Sequence, residues 1–206
     1  MAVQCDVTDS VQVKNALEQI IVGLGGVDFL FNNVGYQGEF TPAHQYSLDD
    51  FQRVININVN GAFIVLRIFS EYMVSHGGGA VVNTASMAAI GGPPNMVAYA
   101  ASKAALLGMT QTAAKDLAPY SIRVNAISPA YMGPGYMWTR QIELQASAGS
   151  QYFDKDPEIV EQQMVGSIPM RRYGEINEIP GAVAFLLSDH ASYITGVNIP
   201  ISGGIG

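Results

Sequence analysis

The amino-acid sequence predicts an α/β fold, a parallel sheet flanked by helices. Three observations carry this expectation. Short apolar runs alternate with longer segments of helical periodicity along the whole chain. Most of the runs are nearly continuous in apolar character, as strands covered on both faces require. Each run gives way to Gly, Ser or Pro within a few residues.

In chain order, a short strand is expected near Val3, ending at Asp6-Val7. Thr8 or Asp9 then caps a helix running to about Val22. Val27–Asn32 reads as a strand. Ser47, with Asp50 three residues on, opens a long helix to about Val74. Ala80–Thr84 is the next strand, and Val97–Ala118 a helix stopped by Pro119. Ile122–Ile127 and Val197–Ile201 are strands. Between them Ile176–Leu187 is a helix that tolerates Pro180 because this residue falls in the first turn. The stretch from Gly133 to Arg172 mixes Gly, Pro, Trp and Met with polar residues and reads as a helical excursion outside the sheet. Long excursions after a strand end usually cover a ligand.

With 206 residues, 49% hydrophobic and 13% charged, the chain can close one sizeable core, and residues 1–206 read as a single domain. The net charge of −7 is spread without runs of one sign. That argues against nucleic acid or an anionic membrane as partner and for a small neutral or polar ligand. Cys5 is the only cysteine, so no internal disulfide forms and a cytoplasmic setting is expected. The first residues lack a basic stretch followed by an apolar core, and no apolar run reaches the roughly 18 residues of a membrane span. His44, His76 and His190 are scattered without metal-ligand spacing, so no metal is expected. Neither a Gly-x-Ser-x-Gly elbow nor a Gly-Lys-Ser/Thr loop occurs, which argues against hydrolase and phosphoryl-transfer chemistry.

The chemistry-bearing residues are Tyr99 and Lys103. At i and i+4 on a helix they share one face, where an ammonium beside a phenol favours the phenolate and brings a general base toward working pH. Such a pair alone is most often a solvated helix face. Here a strand ending in Thr84-Ala85-Ser86 and a loop of small residues, Met87 to Met96, deliver the chain to that helix.

With these residues the sequence resembles the classical short-chain dehydrogenase/reductase family, whose active site is a Ser, a Tyr-x-x-x-Lys and an upstream Asn. Here those positions are Ser86, Tyr99, Lys103 and Asn58. Asp6-Val7, Asn32-Asn33-Val34-Gly35 and Asn58-Val59-Asn60-Gly61 follow the family's order, and the resemblance covers nearly the whole chain. Val34 stands where Ala is usual, and Pro129-Ala130 where Pro-Gly is usual. The resemblance implies a Rossmann-type doubly wound sheet, a nicotinamide cofactor, a small alcohol or ketone substrate, and a homodimer or homotetramer. It implies that Tyr99 exchanges a proton with the substrate oxygen, that Ser86 hydrogen-bonds that oxygen, and that Lys103 supports Tyr99 and binds the nicotinamide ribose. Asn58 would hold a water leading from Lys103 to solvent; a helix-kink residue satisfying backbone is an equal reading from sequence. Asp6 and Val7 would meet the adenine, Asn33, Val34 and Gly35 the adenosine ribose, and Pro129 the nicotinamide.

Within the family, Asn32–Gly38, Gly91–Met96, Asn125–Trp138, Gly149–Phe153 and Ile168–Gly174 look most like the NAD-dependent polyol dehydrogenases that act on sugar alcohols such as xylitol. Asn95 and Met132 are then expected at the substrate, under a lid over about 133–172, and Gln151 is a further candidate for its extra hydroxyls. A reductase of 3-oxoacyl thioesters is the alternative enzyme. The family's Gly-rich pyrophosphate turn and second strand have no counterpart before Asp6, so the expected sheet lacks the first βαβ unit, and NAD cannot be separated from NADP by sequence. A shortened, non-catalytic binding protein is therefore the alternative from another class.

Overall fold

The computed structural model describes residues 1–206. Helix α1 (Ser10–Leu24) leads to strand β1 (Phe29–Asn32), then α2 (Leu48–Ile55), a π-helical segment (Asn56–Gly61) and α3 (Ala62–Ser75). Strand β2 (Gly79–Thr84) is followed by a single turn, α4 (Ala88–Gly91), and the long α5 (Val97–Leu117). After β3 (Ile122–Pro129) the chain makes β4 (Met132–Gly133), α6 (Tyr136–Ser147), α7 (Pro157–Ser167) and β5 (Gly174–Glu175). It closes with α8 (Ile179–Leu187) and β6 (Asn198–Ile201).

Strands β1, β2, β3 and β6 form one sheet in that order, every pair parallel. Side chains alternate between its faces. Val81, beside Val13, Leu17, Leu66, Phe69, Met73 and Val124, builds the core under α1, α3 and α5. Its neighbour Val82, with Ile127, Val183 and Leu186, packs on the other face under α8. Helices on both faces explain why these strands read as continuous apolar runs. Strand β1 is a sheet edge, and its Phe29 and Phe31 are 58% and 41% exposed.

The helix boundaries follow from their caps. Asp9 accepts from the backbone of Val11 and Gln12 at 2.8 and 3.2 Å, and Gly25 ends α1 in the left-handed region at φ 87°. Ser47 accepts from Asp50 N at 3.3 Å, as the capping pattern requires. Two expectations are corrected. Met1–Asp6 forms no strand: no neighbouring strand supplies backbone partners there, and Asp6 N is satisfied by Gln12 Oε1 at 3.0 Å. The long helix from Leu48 is also not uniformly α-helical, because a π turn interrupts it at the asparagine-rich segment, a device common at functional sites. Taken together, Leu48–Ser75 is long and apolar enough to cross a membrane, but half of that window is buried inside the fold, as in a core helix.

The excursion folds around its own small core of Trp138, Ile142, Ala146, Val160 and Met164. Tyr131 and Tyr173 flank the Trp138 ring at centroid distances of 5.8 and 5.3 Å, and the β4–β5 pairing ties its ends together. Sequence composition marked the segment; only packing shows it as two helices.

Candidate active site

A cavity of about 410 Å³ opens at the carboxyl ends of β2 and β3. This is the end at which open parallel sheets bind ligands. Ser86, just beyond β2, Tyr99 on α5, Pro129 at the end of β3 and Met132 all line it. Four predicted positions thus meet around one space.

Lys103 lies behind Tyr99, its ammonium 5.8 Å from the phenol ring centroid. The side chain is 2% exposed and donates to the carbonyls of Val34 at 2.9 Å and Thr84 at 2.7 Å. Burial brings its pKa down from 10.5 to about 8. Two carbonyls use two of the three ammonium donors; the third N–H is left for a further acceptor. Thr84 Oγ1, on the cavity wall, is buried without a hydrogen-bond partner. A Cβ on Gly35 would sit 3.4 Å from the ammonium, so glycine keeps the approach to Lys103 clear.

Burial raises the Tyr99 pKa above the ordinary phenol value, and the Ser86 hydroxyl beside it opposes that shift. Ser86 Oγ accepts from Ala88 N at 3.1 Å and points toward Pro129 O at 3.5 Å. The second contact is at the limit for a hydrogen bond, so the hydroxyl is readily redirected to an oxygen in the cavity. Arranged this way, the site can remove or deliver a proton at Tyr99, polarise an oxygen at Ser86, and hold a cation next to both.

Asn58 sits in the π segment, fully buried. Its Oδ1 accepts from Tyr36 N at 2.7 Å, and its Nδ2 donates to Tyr36 O at 2.8 Å and Ser102 Oγ at 2.9 Å. Both Nδ2 donors are thereby used, and no hydrogen bond reaches Lys103. Its side chain clamps the loop after β1 to α5. The Gly61 of the same motif lets Val7 approach: an added Cβ would lie 2.8 Å from Val7 Cγ2.

Val7, Asn33, Val34 and Gly35 line a separate open hollow at the end of β1, together with Ile57 and Val65. Val34 also packs on Ala62, Ala85 and Leu106, so the larger side chain is accommodated rather than crowded. Asp6 lies outside that hollow, exposed, its carboxylate accepting from Thr8 N and Oγ1 at 2.9 and 2.8 Å, which holds its pKa down.

Asn95 is placed differently from expectation. It is 8% exposed and does not line the cavity. Its Nδ2 donates to Gln145 Oε1 at 2.8 Å and Ser150 Oγ at 3.1 Å, so it fastens the α4–α5 loop to the excursion. Gln151 is exposed and also outside the cavity. Two lining residues escaped the sequence reading, Gln37 and Gln141. Only folding sets them side by side, 104 positions apart.

The loop carrying Gln37 is organised by Asp50. Its carboxylate accepts from Glu39 N at 2.8 Å and from the hydroxyls of Tyr46 at 2.7 Å and Tyr36 at 3.4 Å. Gly38, at φ 71°, leaves room for this: an added Cβ would lie 2.5 Å from Val54 Cγ2 and 2.7 Å from Asp50 Oδ2. Gly38→Ala should therefore cost about 2–4 kcal/mol, from the left-handed backbone and the overpacking together. Urea unfolding checks this through a lowered midpoint at unchanged slope.

No group of three metal-ligating side chains occurs, and His44, His76 and His190 are all exposed. A family model described as enoyl-(acyl carrier protein) reductase matches residues 1–206. Levodione reductase of Leifsonia aquatica is 37% identical over 199 residues, which are 97% of this chain and 72% of that protein. The 3-oxoacyl-[acyl-carrier-protein] reductase of Thermotoga maritima is 36% identical over 97% of this chain and 74% of its own. Among solved structures, NAD+-bound xylitol dehydrogenase superposes with a TM-score of 0.95 at 61% identity, over 97% of this chain and 77% of that one. Levodione reductase follows at 0.90 and 34%, over 97% and 74%. A family model matched over residues 1–206, relatives 36–37% identical over nearly the whole chain and a fold matched along its length place the chain in the short-chain dehydrogenase/reductase family of oxidoreductases.

Proposed function

We propose that the protein oxidises a secondary alcohol of a polyol, xylitol or a close analogue, to the ketone with NAD. The observation that carries the reading is the Ser86–Tyr99–Lys103 arrangement at a cavity in a chain 61% identical to an NAD+-bound xylitol dehydrogenase. The residues fit a nicotinamide nucleotide. The free N–H of Lys103, the unpartnered Thr84 Oγ1 and the open approach at Gly35 provide for ribose hydroxyls. Pro129 and Tyr99 would border the nicotinamide, and Asn33, Val34, Gly35 and Val7, which line the hollow at the end of β1, the adenosine, with Asp6 at its outer margin. When bound, the cofactor supplies a hydride acceptor at C4 of its ring.

Tyr99 Oη accepts the hydroxyl proton while Ser86 Oγ donates to the same oxygen. Lys103, charged at neutral pH, stabilises the phenolate that accepts it. Asn58 fixes the loop whose Val34 carbonyl holds Lys103. Residues 133–172 serve as the lid, since Met137, Trp138 and Gln141 of α6 wall the cavity.

A second reading, reduction of a 3-oxoacyl thioester, draws on the Thermotoga relative. Steady-state assays with NAD or NADP across polyols and acyl thioesters separate the two. Polyol turnover preferring NAD is expected; turnover of thioesters alone would overturn the proposal. An inactive, purely binding role is disfavoured by the intact catalytic geometry. Homo-oligomerisation is supported by α5, where Ala101, Ala104, Ala105 and Gly108 form an exposed face of small residues rather than packing on the sheet. The single cysteine, Cys5, suits a reducing, cytoplasmic compartment.

A further inference from the structure

A polyol differs from a simple alcohol by hydroxyls on the carbons next to the reacting one. Several polar groups on the cavity wall have other work than reading such a hydroxyl. Ser86 and Tyr99 serve the reacting oxygen. Trp138 Nε1 donates to Glu161 Oε1 at 3.1 Å, and the unpartnered Thr84 Oγ1 is assigned above to the cofactor ribose. Beside the Tyr131 hydroxyl, the paired carboxamides of Gln37 and Gln141 are the polar groups of the wall held next to each other.

Gln37 is 5% exposed and anchored at both ends of its amide. Its Oε1 accepts from Arg140 Nη1 at 3.3 Å, and its Nε2 donates to Gln141 Oε1, also at 3.3 Å. Arg140 Nη2 further donates to Gly38 O at 3.3 Å, joining α6 to the same loop. Each of these bonds is longer than the usual 2.7–3.2 Å range for N–H···O. Gln141 Oε1 keeps one acceptor site, and Gln141 Nε2 donates to no protein acceptor. Side by side, the amides offer donors and acceptors at short spacing, the complement of a hydroxyl that both gives and takes a hydrogen bond.

We infer that the Gln37–Gln141 pair is the specificity device that reads a hydroxyl vicinal to the oxidised carbon, selecting polyols over simple secondary alcohols. Without substrate Gln37 Nε2 and Gln141 Oε1 satisfy each other and Arg140 serves Gln37 Oε1, which limits the cost of burying Gln37. With a vicinal diol each amide gains a partner that a monoalcohol lacks, and preference arises from that difference. Because Gln37 belongs to the loop after β1 and Gln141 to α6, the same contact draws lid and loop onto the substrate. The inference rests on the polyol reading above.

The smallest test compares 2,3-butanediol with 2-butanol, and xylitol with cyclohexanol, in wild type, Gln141→Leu and Gln37→Met. Trp138 is the only tryptophan and lines the cavity, so its fluorescence reports occupancy without turnover. For Gln141→Leu, the Kd and KM for diol and polyol should rise roughly tenfold, as expected for one lost hydrogen-bonding partner. Values for 2-butanol and cyclohexanol should stay within about twofold. Gln37→Met should act in the same direction. An unchanged diol-to-monoalcohol ratio in both variants, with wild type binding polyol, overturns this inference and leaves the polyol reading standing. Absence of any saturable fluorescence change or turnover with xylitol and diol in wild type overturns both.

Discussion

Tyr99→Phe should lower kcat for alcohol oxidation by about 10²–10⁴-fold, the usual contribution of a positioned general base. The substitution removes one oxygen from a half-buried ring on α5 and leaves the helix and the packing in place. Thermal unfolding should therefore stay close to wild type, and retained fold with lost activity is the diagnostic combination. The pH dependence has a definite sign. Burial holds the phenol above its ordinary value, and oxidation needs the deprotonated form. Wild-type oxidation thus rises with pH toward that value, whereas ketone reduction, which needs the protonated form, falls. In Tyr99→Phe both trends should vanish. A Phe variant retaining more than about a tenth of wild-type kcat would remove Tyr99 from the base role.

Lys103→Met should abolish most activity as well, by about 10²-fold or more, since the phenolate loses its neighbouring cation. It should also leave a signature in stability. The folded state holds the Lys103 pKa at about 8 against 10.5 for the free side chain. Between those values the unfolded chain binds more protons than the folded one, so stability contributed at this site rises with pH across that window. Below pH 8 the buried charge imposes its full cost. Measured against Lys103→Met, both in a Tyr99→Phe background so that the phenol does not titrate, the lysine protein should gain about 3 kcal/mol between pH 8 and 10.5. Urea unfolding at three pH values checks this. A flat difference would mean that the ammonium is solvated, not desolvated by the fold.

The cost of burying Lys103 is offset by geometry. The Val34 and Thr84 carbonyls that receive it stand at the ends of adjacent parallel strands, at 2.9 and 2.7 Å from its nitrogen. Asn58 and Asp50 in turn pin the loop that follows Val34. The Tyr99–Lys103 pair and the Gln37 side of the cavity are held by one hydrogen-bonded framework, so on the proposed function substitutions at Asn58 or Gly38 should reach substrate handling through the loop.

Several features were legible in the sequence because they depend on local chemistry. Alternating apolar runs and helical segments reflect strands covered on both sides. The Ser47–Asp50 cap and the Pro119 stop act within a few residues, and Tyr99 with Lys103 shares a helix face by spacing alone. Ser86, Tyr99 and Pro129, which meet at one cavity, and Lys103 behind Tyr99 could therefore be picked out as candidates, together with the family they resemble. Asn95 could not be read correctly, because a polar residue beside the active-site loop has the same appearance whether it meets substrate or holds Gln145 and Ser150. The expected strand near Val3 failed for a related reason: a strand exists only with a partner, which local pattern does not supply. Gln37 and Gln141 became a pair, Asn58 a clamp and Gly38 a required glycine only once segments distant in sequence were packed together. Spacing and composition determined which residues are candidates for proton transfer. The tertiary structure alone decided which polar groups face the cavity and which are consumed in holding its walls, since hydrogen-bond partners are assigned by proximity in space.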